Sequence, residues 1–549
     1  MRWRILQKIS SSEQEKIGID LLNQKILKII LENRGLKNKN QQEKFLNPLP
    51  LEKISYSDLG ISLKELKKTI KRIQQAIKRK EKIIIYGDYD TDGICATAIL
   101  WEALYRQKAE VMPFIPRRQE GYGLKSERLK EMSNQGVKLV ITVDQGITAL
   151  RQAETAKKLG IDLIITDHHL SGEKKPSAFS IIHTVEISGA GIAWFLAREL
   201  GDDSGLDLAT IAVITDVIPL IGPARSLVKW GLPKLRNTKR VGLLALFEKA
   251  GINPEKIDTY HIGFIIGPRL NASGRIDDPL DSLRLICTKD KQKANFLAEK
   301  IEERNKKRQL LTEEITQHAR KLWLETDGKS ALIFVSHETY EEGVIGLVAS
   351  NLMQEFYRPA IVLAPRGKDW VASARSIEEF NIVEAVRTCA QFLGNHGGHK
   401  KAAGFSIEEE KISLVKERLI ALAESQLDKE KLKPTLIIDL ELPLSFLSLS
   451  LYRKIKKMAP FGEGNPFPFF ASRGLEIVNA QLIGEDRHLK LWLKEKENPT
   501  IFEAIGFGMG KIFSSLSPEG EIDIAYTLSL DEWNGKEKLQ LNLKDVKLR

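Results

Sequence analysis

From residue 81 the chain alternates short apolar runs with helix-compatible stretches. KIIIYG, AEVMPF, KLVITVD and DLIITDHH are rich in Ile, Val and Leu, and the first three lead into segments such as GICATAILWEALYRQ. Runs this short, separated by helices, predict βαβ units and a mainly parallel sheet. Upstream, LLNQKILKIILENRGL carries apolar residues at helical spacing and predicts a helical, peripheral segment over residues 1–70. Residues 289–325 contain no Gly or Pro, are highly charged and carry only a sparse apolar stripe. One long helix joining two domains is expected there, the alternative being a helix packed on its own domain. A second α/β segment covers 326–428. From 429 to 549 the period becomes two: Leu489, Leu491 and Leu493 alternate with His488, Lys490, Trp492 and Lys494, and KLQLNLK repeats the pattern. Trp533-Asn534-Gly535-Lys536 predicts a tight hairpin, and a small β-barrel fits this tail. The expected order is a helical segment 1–70, an α/β domain 71–288, the helix 289–325, an α/β domain 326–428 and a β-barrel domain 429–549.

A length of 549 residues calls for three or four domains at about 150 residues each. No apolar run approaches the ~18 residues that span a bilayer, and the first residues lack the apolar stretch of a secretory signal, so no membrane partner is expected. Cys95, Cys287 and Cys389 are few and far apart, which argues against a disulfide framework and fits a reducing cytoplasm. Lys and Arg outnumber Asp and Glu by 84 to 73, a net +11 that points weakly to a polyanionic partner.

The chemistry is concentrated where apolar runs end. Asp88, Asp90 and Asp92 follow KIIIYG; Asp144 follows KLVITV; Asp167, His168 and His169 follow DLIIT; Asp216 follows AVIT, read as another strand end. In an extended chain the spacing of two would put the first three carboxylates on one face. Like charges so close must take up protons or share a cation. DYDTDG opens like a calcium-binding EF-hand loop, but its twelfth position is Ile99 where a bidentate Glu is needed, and a strand precedes it. An aspartyl-phosphate phosphotransferase with Asp88 as nucleophile would leave the histidines without a role. Carboxylates with imidazoles suit Mn²⁺ or Mg²⁺, with Zn²⁺ a further option, and six or seven donors exceed what one ion needs. Two divalent ions would use them, activating water for phosphoryl displacement. Taken singly, each Asp reads as a helix cap and each His as a satisfied polar group; only the constellation points to a site.

DYDTDG, VDQG, DHH and TDVIPL together resemble the four motifs of the DHH phosphoesterase superfamily. GYGL, GPRLNASGR, GVIGLVAS, GGHKKAAGFS and PFGEGNPFPFF, in this order over nearly the whole chain, resemble the RecJ-type single-stranded-DNA exonucleases within it. The resemblance implies a DHH domain, a connecting helix, a DHHA1 domain and a C-terminal OB-fold barrel. It implies Asp88, Asp90, Asp92, Asp144, His168 and Asp216 as ligands of two metal ions, His169 as a ligand or phosphate contact, and Asp167 as the residue that orients the histidines. It implies 5′-to-3′ cleavage of single-stranded DNA to 5′-mononucleotides in recombination and repair, by a monomer, with a helicase and a single-strand-binding protein as partners. Three positions depart from the family pattern: His183-Thr184 where Asn-Pro is usual, Ala224 where Asn precedes Arg225, and Glu342 in a turn that commonly carries His.

For substrate binding, Arg269, Asn271, Arg275, Ser373 and Arg375 are candidates for the 5′ end and backbone, since guanidinium forks and hydroxyls suit phosphate. Arg269 and Arg275 have an equally good alternative in tying down their loop through carboxylates. Gly398 would let a backbone approach, with His399 beside it. On the barrel, Lys490 is the candidate phosphate contact, while Trp492 reads better as packing. An oligoribonuclease or nucleotide phosphodiesterase of the same superfamily remains an alternative enzyme, and a non-catalytic single-strand binder an alternative of another class.

Overall fold

The computed structural model describes residues 1–9, 18–121, 123–326, 328–517, 520–533 and 536–549. The chain divides into two compact units, one of residues 50–218 and 226–433, the other of residues 1–49, 219–225 and 434–549.

In the first unit the apolar runs form a five-stranded parallel sheet in the order Val111–Phe114, Lys82–Tyr86, Val137–Val143, Asp162–Asp167, Ser180–His183. Ile83, Ile85, Leu139, Ile141 and Ile164 are buried, which is why these strands read as continuous apolar runs. The first strand lies between the second and third, so the chain reverses direction across the sheet at Lys82–Tyr86 and Val137–Val143. Ligands of open α/β sheets bind outside the carboxyl ends of the strands at such a switch point. Asp88 and Asp144 stand there.

One expected strand is a helix. AVITD belongs to Leu206–Thr215, and Asp216 caps the C-terminal end of that helix. Leu206 through Val213 are all buried, so the helix has no polar face to betray its period, and its β-branched residues imitate a strand. The long helix spans Lys291–Glu325, with Asp290 capping it by accepting from the N–H groups of Gln292 and Lys293. Beyond it lies a mixed five-stranded sheet in the order His396–His399, Ala402–Glu408, Asp369–Arg375, Ala360–Arg366, Ile333–Ser336.

The second unit is built on a closed barrel. Phe470–Ile483, His488–Glu495, Asn498–Gly506, Lys536–Leu548 and Glu521–Trp533 pair in turn, and the last pairs back to the first. Leu489, Leu491 and Leu493 point into the core, as the alternation requires. The turn expected at Asn534-Gly535 lies outside the described residues. The N-terminal segment is neither wholly helical nor peripheral. Arg2–Ile5 pairs as a parallel strand with Thr435–Ile438, and the helix Ile19–Asn33 buries Leu22, Ile26 and Ile30 in the same core as Leu489 and Tyr526. Each such side chain contributes roughly 1.5–3 kcal/mol of burial. Within the same unit Arg225 is fully buried. Its guanidinium donates to the carbonyls of Phe45, Met458, Ala459 and Pro460 at 2.7–3.1 Å, and burial without a carboxylate lowers its pKa to about 10. Among the described residues no helix is long and apolar enough to cross a membrane.

Candidate active site

Asp88, Asp90 and Asp92 do not lie on one extended strand. The strand Lys82–Tyr86 ends before them, and the helix Thr91–Arg106 begins among them. Asp90 is the N-cap, accepting from Gly93 N at 3.0 Å. Asp92 caps a second helix, Gly189–Glu199, by accepting from Gly189 N at 2.7 Å and Ala190 N at 2.8 Å. The carboxylates converge because strand, loop and first helical turn fold back on one another. Asp144 follows its strand with a left-handed φ of +62°. Val217, next to Asp216, has a φ of +57°, a conformation β-branched residues rarely adopt. Two strained residues thus flank the acidic cluster. A Cβ on Gly189 would lie 2.5 Å from the Asp144 Cβ, so only glycine lets the second helix come this close.

His168 is the hub. Its Nε2 lies 3.1 Å from Asp144 Oδ1, 3.4 Å from Asp216 Oδ2 and 3.6 Å from Asp92 Oδ2. It is buried and makes no hydrogen bond, and neither does the buried Asp88 Oδ1. One donor atom each from Asp88, Asp90 and Asp144 forms a neighbouring group within 4.8 Å, and Asp92, His168 and Asp216 form another. Burial, then the nearby Asp90 charge, pushes the Asp88 carboxyl up to about 8. Burial and the surrounding carboxylates also raise Asp90, and raise Asp144 and Asp216 well above the usual range. Burial lowers His168, which keeps its imidazole neutral and able to donate a lone pair. Carboxylate oxygens crowded around an unbonded ring nitrogen are the donor set of a hard divalent cation, and the residues fit the expected pair of ions.

Asp167 and His169 differ from the cluster. Although burial raises it, Asp167 is held low by its bonds to the His169 ring at 2.8 Å and to the N–H groups of Ile147 and His169. Against burial, the same Asp167 bond raises His169 to about 9. His183, at the departure from the family pattern, donates from Nε2 to the His169 carbonyl at 2.7 Å. It braces the backbone carrying the histidine pair. Ala224 is buried beside Arg225 in the other unit, and Glu342 pairs with Arg366.

Beside the cluster, a cleft of about 830 Å³ is lined by Tyr89, Arg118, Arg275, Arg366, Ser373 and Arg375, among others. Arg375 Nη1 donates to Ser373 Oγ at 3.2 Å and to the Ala374 carbonyl at 2.8 Å. Arg275 donates to the Gly343 carbonyl at 3.1 Å; burial and the neighbouring Arg118, Arg308 and Arg375 guanidiniums lower it to about 10. Arg118 lies over the Tyr89 ring at 4.3 Å. Among the described residues none of Arg118, Arg275 and Arg375 has a carboxylate partner. Three half-buried guanidiniums without a carboxylate partner leave the cleft chemically suited to an anion. Tyr89 and Arg118 are not among the candidates read from the sequence, although Tyr89 sits inside DYDTDG and Arg118 ends the basic pair before QEGYGL.

Other candidates stand elsewhere. Arg269 is committed to Glu302 of the long helix at 2.7 Å, the fold-holding role weighed for it. Asn271 Oδ1 accepts from Thr91 N at 2.8 Å and so locks the acidic loop to the GPRLNASGR helix. The cleft is lined by His396 and Gly397, while Gly398 and His399 lie further along the same exposed strand. On the barrel, Lys490 pairs with Glu503 at 3.0 Å and lies 4.8 Å from the centre of the half-buried Trp492 ring.

Three protein-family models match the chain: the DHH family N-terminal domain over residues 82–220, the DHHA1 domain over 328–425 and the RecJ OB domain over 438–545. The single-stranded-DNA-specific exonuclease RecJ of Bacillus subtilis is 33% identical over 100% of this chain and 71% of its own length. Crystal structures of Thermus thermophilus RecJ are similar over 100% of this chain. The complex with Mn²⁺ has TM-score 0.82, 29% identity and 79% of that chain covered; the complex with Mg²⁺ has 0.77, 28% and 78%. The chain therefore belongs to the RecJ family.

Proposed function

We propose that this chain is a metal-dependent exonuclease that degrades single-stranded DNA from its 5′ end and releases 5′-mononucleotides, in DNA recombination and repair. The observation that carries the reading is the buried His168 Nε2, unbonded and faced by carboxylate oxygens of Asp92, Asp144 and Asp216. Asp88, Asp90, Asp92, Asp144, His168 and Asp216 would hold two divalent ions, Mn²⁺ or Mg²⁺, which when bound supply an activated water and neutralise charge on the scissile phosphate. Asp167 orients His169, and the raised His169 presents a positive ring edge to a phosphate oxygen. Arg118, Arg275, Ser373 and Arg375 bind the terminal phosphate, which fixes the first linkage against the cluster and makes the cut exonucleolytic. Gly398 and His399 meet the strand next to His396 and Gly397. Lys490 exchanges Glu503 for a backbone phosphate. Arg269 and Asn271 hold the acidic loop.

The functional boundaries follow as 71–288 for the DHH domain, 289–325 for the connecting helix, 326–428 for DHHA1 and 429–549 for the OB fold, with 1–70 as an N-terminal segment. A monomer acting in the cytoplasm, supplied with strands by a helicase and meeting them coated with a single-strand-binding protein, fits this reading. End-labelled DNA and RNA strands incubated with Mn²⁺ test it. Release of 5′-mononucleotides from the DNA 5′ end is expected. Preference for RNA or for dinucleotides would transfer the chain to the oligoribonuclease alternative, and binding without cleavage to the non-catalytic one.

A further inference from the structure

The segment Tyr260–Ile266 turns its side chains the wrong way for a simple surface helix. Ile262 and Ile266 are buried, whereas Tyr260 is 59% and Phe264 71% exposed, the latter the most exposed large apolar side chain among the described residues. The two rings stack on each other, centroids 5.0 Å apart and planes 27° apart, so the aromatic face is ordered. Ile262–Ile266 is a π-helical turn, a geometry found frequently at functional sites. Burial of the turn is done by the isoleucines, and the solvent-facing aromatic pair adds nothing to it.

Its position ties it to the acidic cluster. A Cβ on Gly267 would lie 2.3 Å from Thr215 Cγ2, and one on Gly263 3.7 Å from Ile214 Cγ2, so this turn packs on the last residues before Asp216. Downstream it runs into the helix Gly267–Ile276, whose Gly267 carbonyl accepts from Thr91 Oγ1 at 3.3 Å and whose Asn271 holds Thr91 N. The aromatic face thus belongs to the element that is hydrogen-bonded to the Asp90–Asp92 loop and packed on the two residues before Asp216.

We propose that Tyr260 and Phe264 form a stacking platform for an unpaired base of the substrate strand. This rests on the single-strand reading above and adds to it the means by which the site takes single strands of any sequence: every base offers a π-face, whereas a base held in a duplex cannot be laid on a side chain. The guanidinium cleft grips phosphate, and the platform grips a base, so the strand is held at two chemically different points.

The test uses the full-length protein with Mn²⁺, 5′-phosphorylated oligodeoxynucleotides, and the same strands carrying one abasic nucleotide at successive positions. Phe264→Ala is expected to raise KM about ten-fold at fixed salt, the order of one lost base-stacking contact. Phe264→Trp should restore it, and Tyr260→Ala should produce a smaller rise. In the wild type an abasic nucleotide at one position should cost as much as Phe264→Ala does, and in Phe264→Ala the abasic strand should cost nothing further. Because Phe264 faces solvent, melting temperature and Mn²⁺ binding should stay at wild-type values. If the wild type digests single strands but KM is unmoved by Phe264→Ala, or the abasic penalty is the same in both proteins, the platform is refuted and the nuclease reading stands. If the wild type digests no single-stranded DNA at all, the nuclease reading fails and takes the platform with it.

Discussion

The helix Thr91–Arg106 carries buried charge at both ends and treats it in opposite ways. At its far end, Glu102 accepts from two nitrogens of Arg240 at 2.8 and 2.9 Å and from Arg106 at 2.9 Å. Arg240 also pairs with Asp207 at 3.1 Å, and Asp207 accepts from Thr238 Oγ1 at 2.8 Å. Every charge there has a counter-charge and a hydrogen bond. At its first turn, Asp90 and Asp92 meet Asp88, Asp144 and Asp216, five carboxylates faced by His168, whose pKa is lowered, and by the edge of His169, 4.0 Å from Asp144. Charge paired one for one holds a fold; five buried or half-buried carboxylates crowded around one neutral imidazole, next to left-handed backbone, are suited to hold cations.

The sharpest way to break this contrast is one variant at each end. Asp144→Asn should cut turnover more than about a hundred-fold, above what is usual for residues behind a ligand, while the metal-free protein melts at the same or a higher temperature because a repulsive charge is gone. Glu102→Ala should do the reverse, costing roughly 1.5–3 kcal/mol of stability because Arg240 loses two charge-assisted bonds and keeps only Asp207 as counter-charge, with turnover per folded molecule within about two-fold. Denaturant melts and single-turnover rates measure both. A destabilised Asp144→Asn with normal turnover would make the acidic cluster structural.

The pH dependence of the metal-free protein sharpens it further. Asp88 titrates at about 8 when folded against an ordinary 3.8. Below the lower value both states are protonated. Between the two, the unfolded chain sheds a proton that the folded one keeps, so stability falls as pH rises through this window. Mn²⁺ competes with that proton, so the rise in melting temperature on adding Mn²⁺ should grow from pH 5 to pH 8, by roughly several degrees. A metal effect independent of pH would contradict the raised carboxylates.

Much of this contrast is legible in the sequence, and the illegible parts have physical causes. Asp88, Asp144 and the DHH run end apolar strands, and strand ends at a switch point converge whatever the loops do. Asp216 was read in the right place on the wrong element, because the buried helix Leu206–Thr215 shows no polar face. The paired end was invisible: nothing in the spacing of Glu102, Asp207 and Arg240 announces that they meet. For the same reason Arg269 and Arg275, six residues apart in one motif, look alike in sequence, yet one has Glu302 and the other has only a carbonyl. The helix Ile19–Asn33 showed its apolar stripe, but which core it covers depends on a pairing across more than 400 residues, Arg2 with Thr435.

Arginine pairing gives the next test. Arg375, without a carboxylate, should contribute to phosphate recognition what Arg269 contributes to the fold. Arg375→Ala should erase most of the preference for a 5′-phosphorylated over a 5′-hydroxyl strand, about ten-fold or more for one charge-assisted bond of roughly 1.5–3 kcal/mol. Arg269→Ala should leave that preference intact and lower the melting temperature, since it strands the buried Glu302. Single-turnover rates on both strands at fixed salt decide, and full preference in Arg375→Ala would move the anion site elsewhere.

The smallest effect is expected on the barrel, where the comparison is least clear-cut. Lys490 is paired, but Glu503 also holds Lys538, and the two lysines together keep Glu503 below its usual pKa, the Lys538 bond contributing most. Removing Lys490 therefore leaves no stranded carboxylate, and Lys490→Ala should change stability by less than about 0.5 kcal/mol. If Lys490 trades Glu503 for phosphate, the variant should bind long single strands a few-fold more weakly and lower the salt slope by about one phosphate's share. A point change is the right probe here, because deleting residues 429–549 would strip Leu22, Ile26 and Ile30 of their core and unfold the N-terminal segment with the barrel. An unchanged slope would leave Lys490 as a surface ion pair, and the barrel's grip on the strand would have to come from another face.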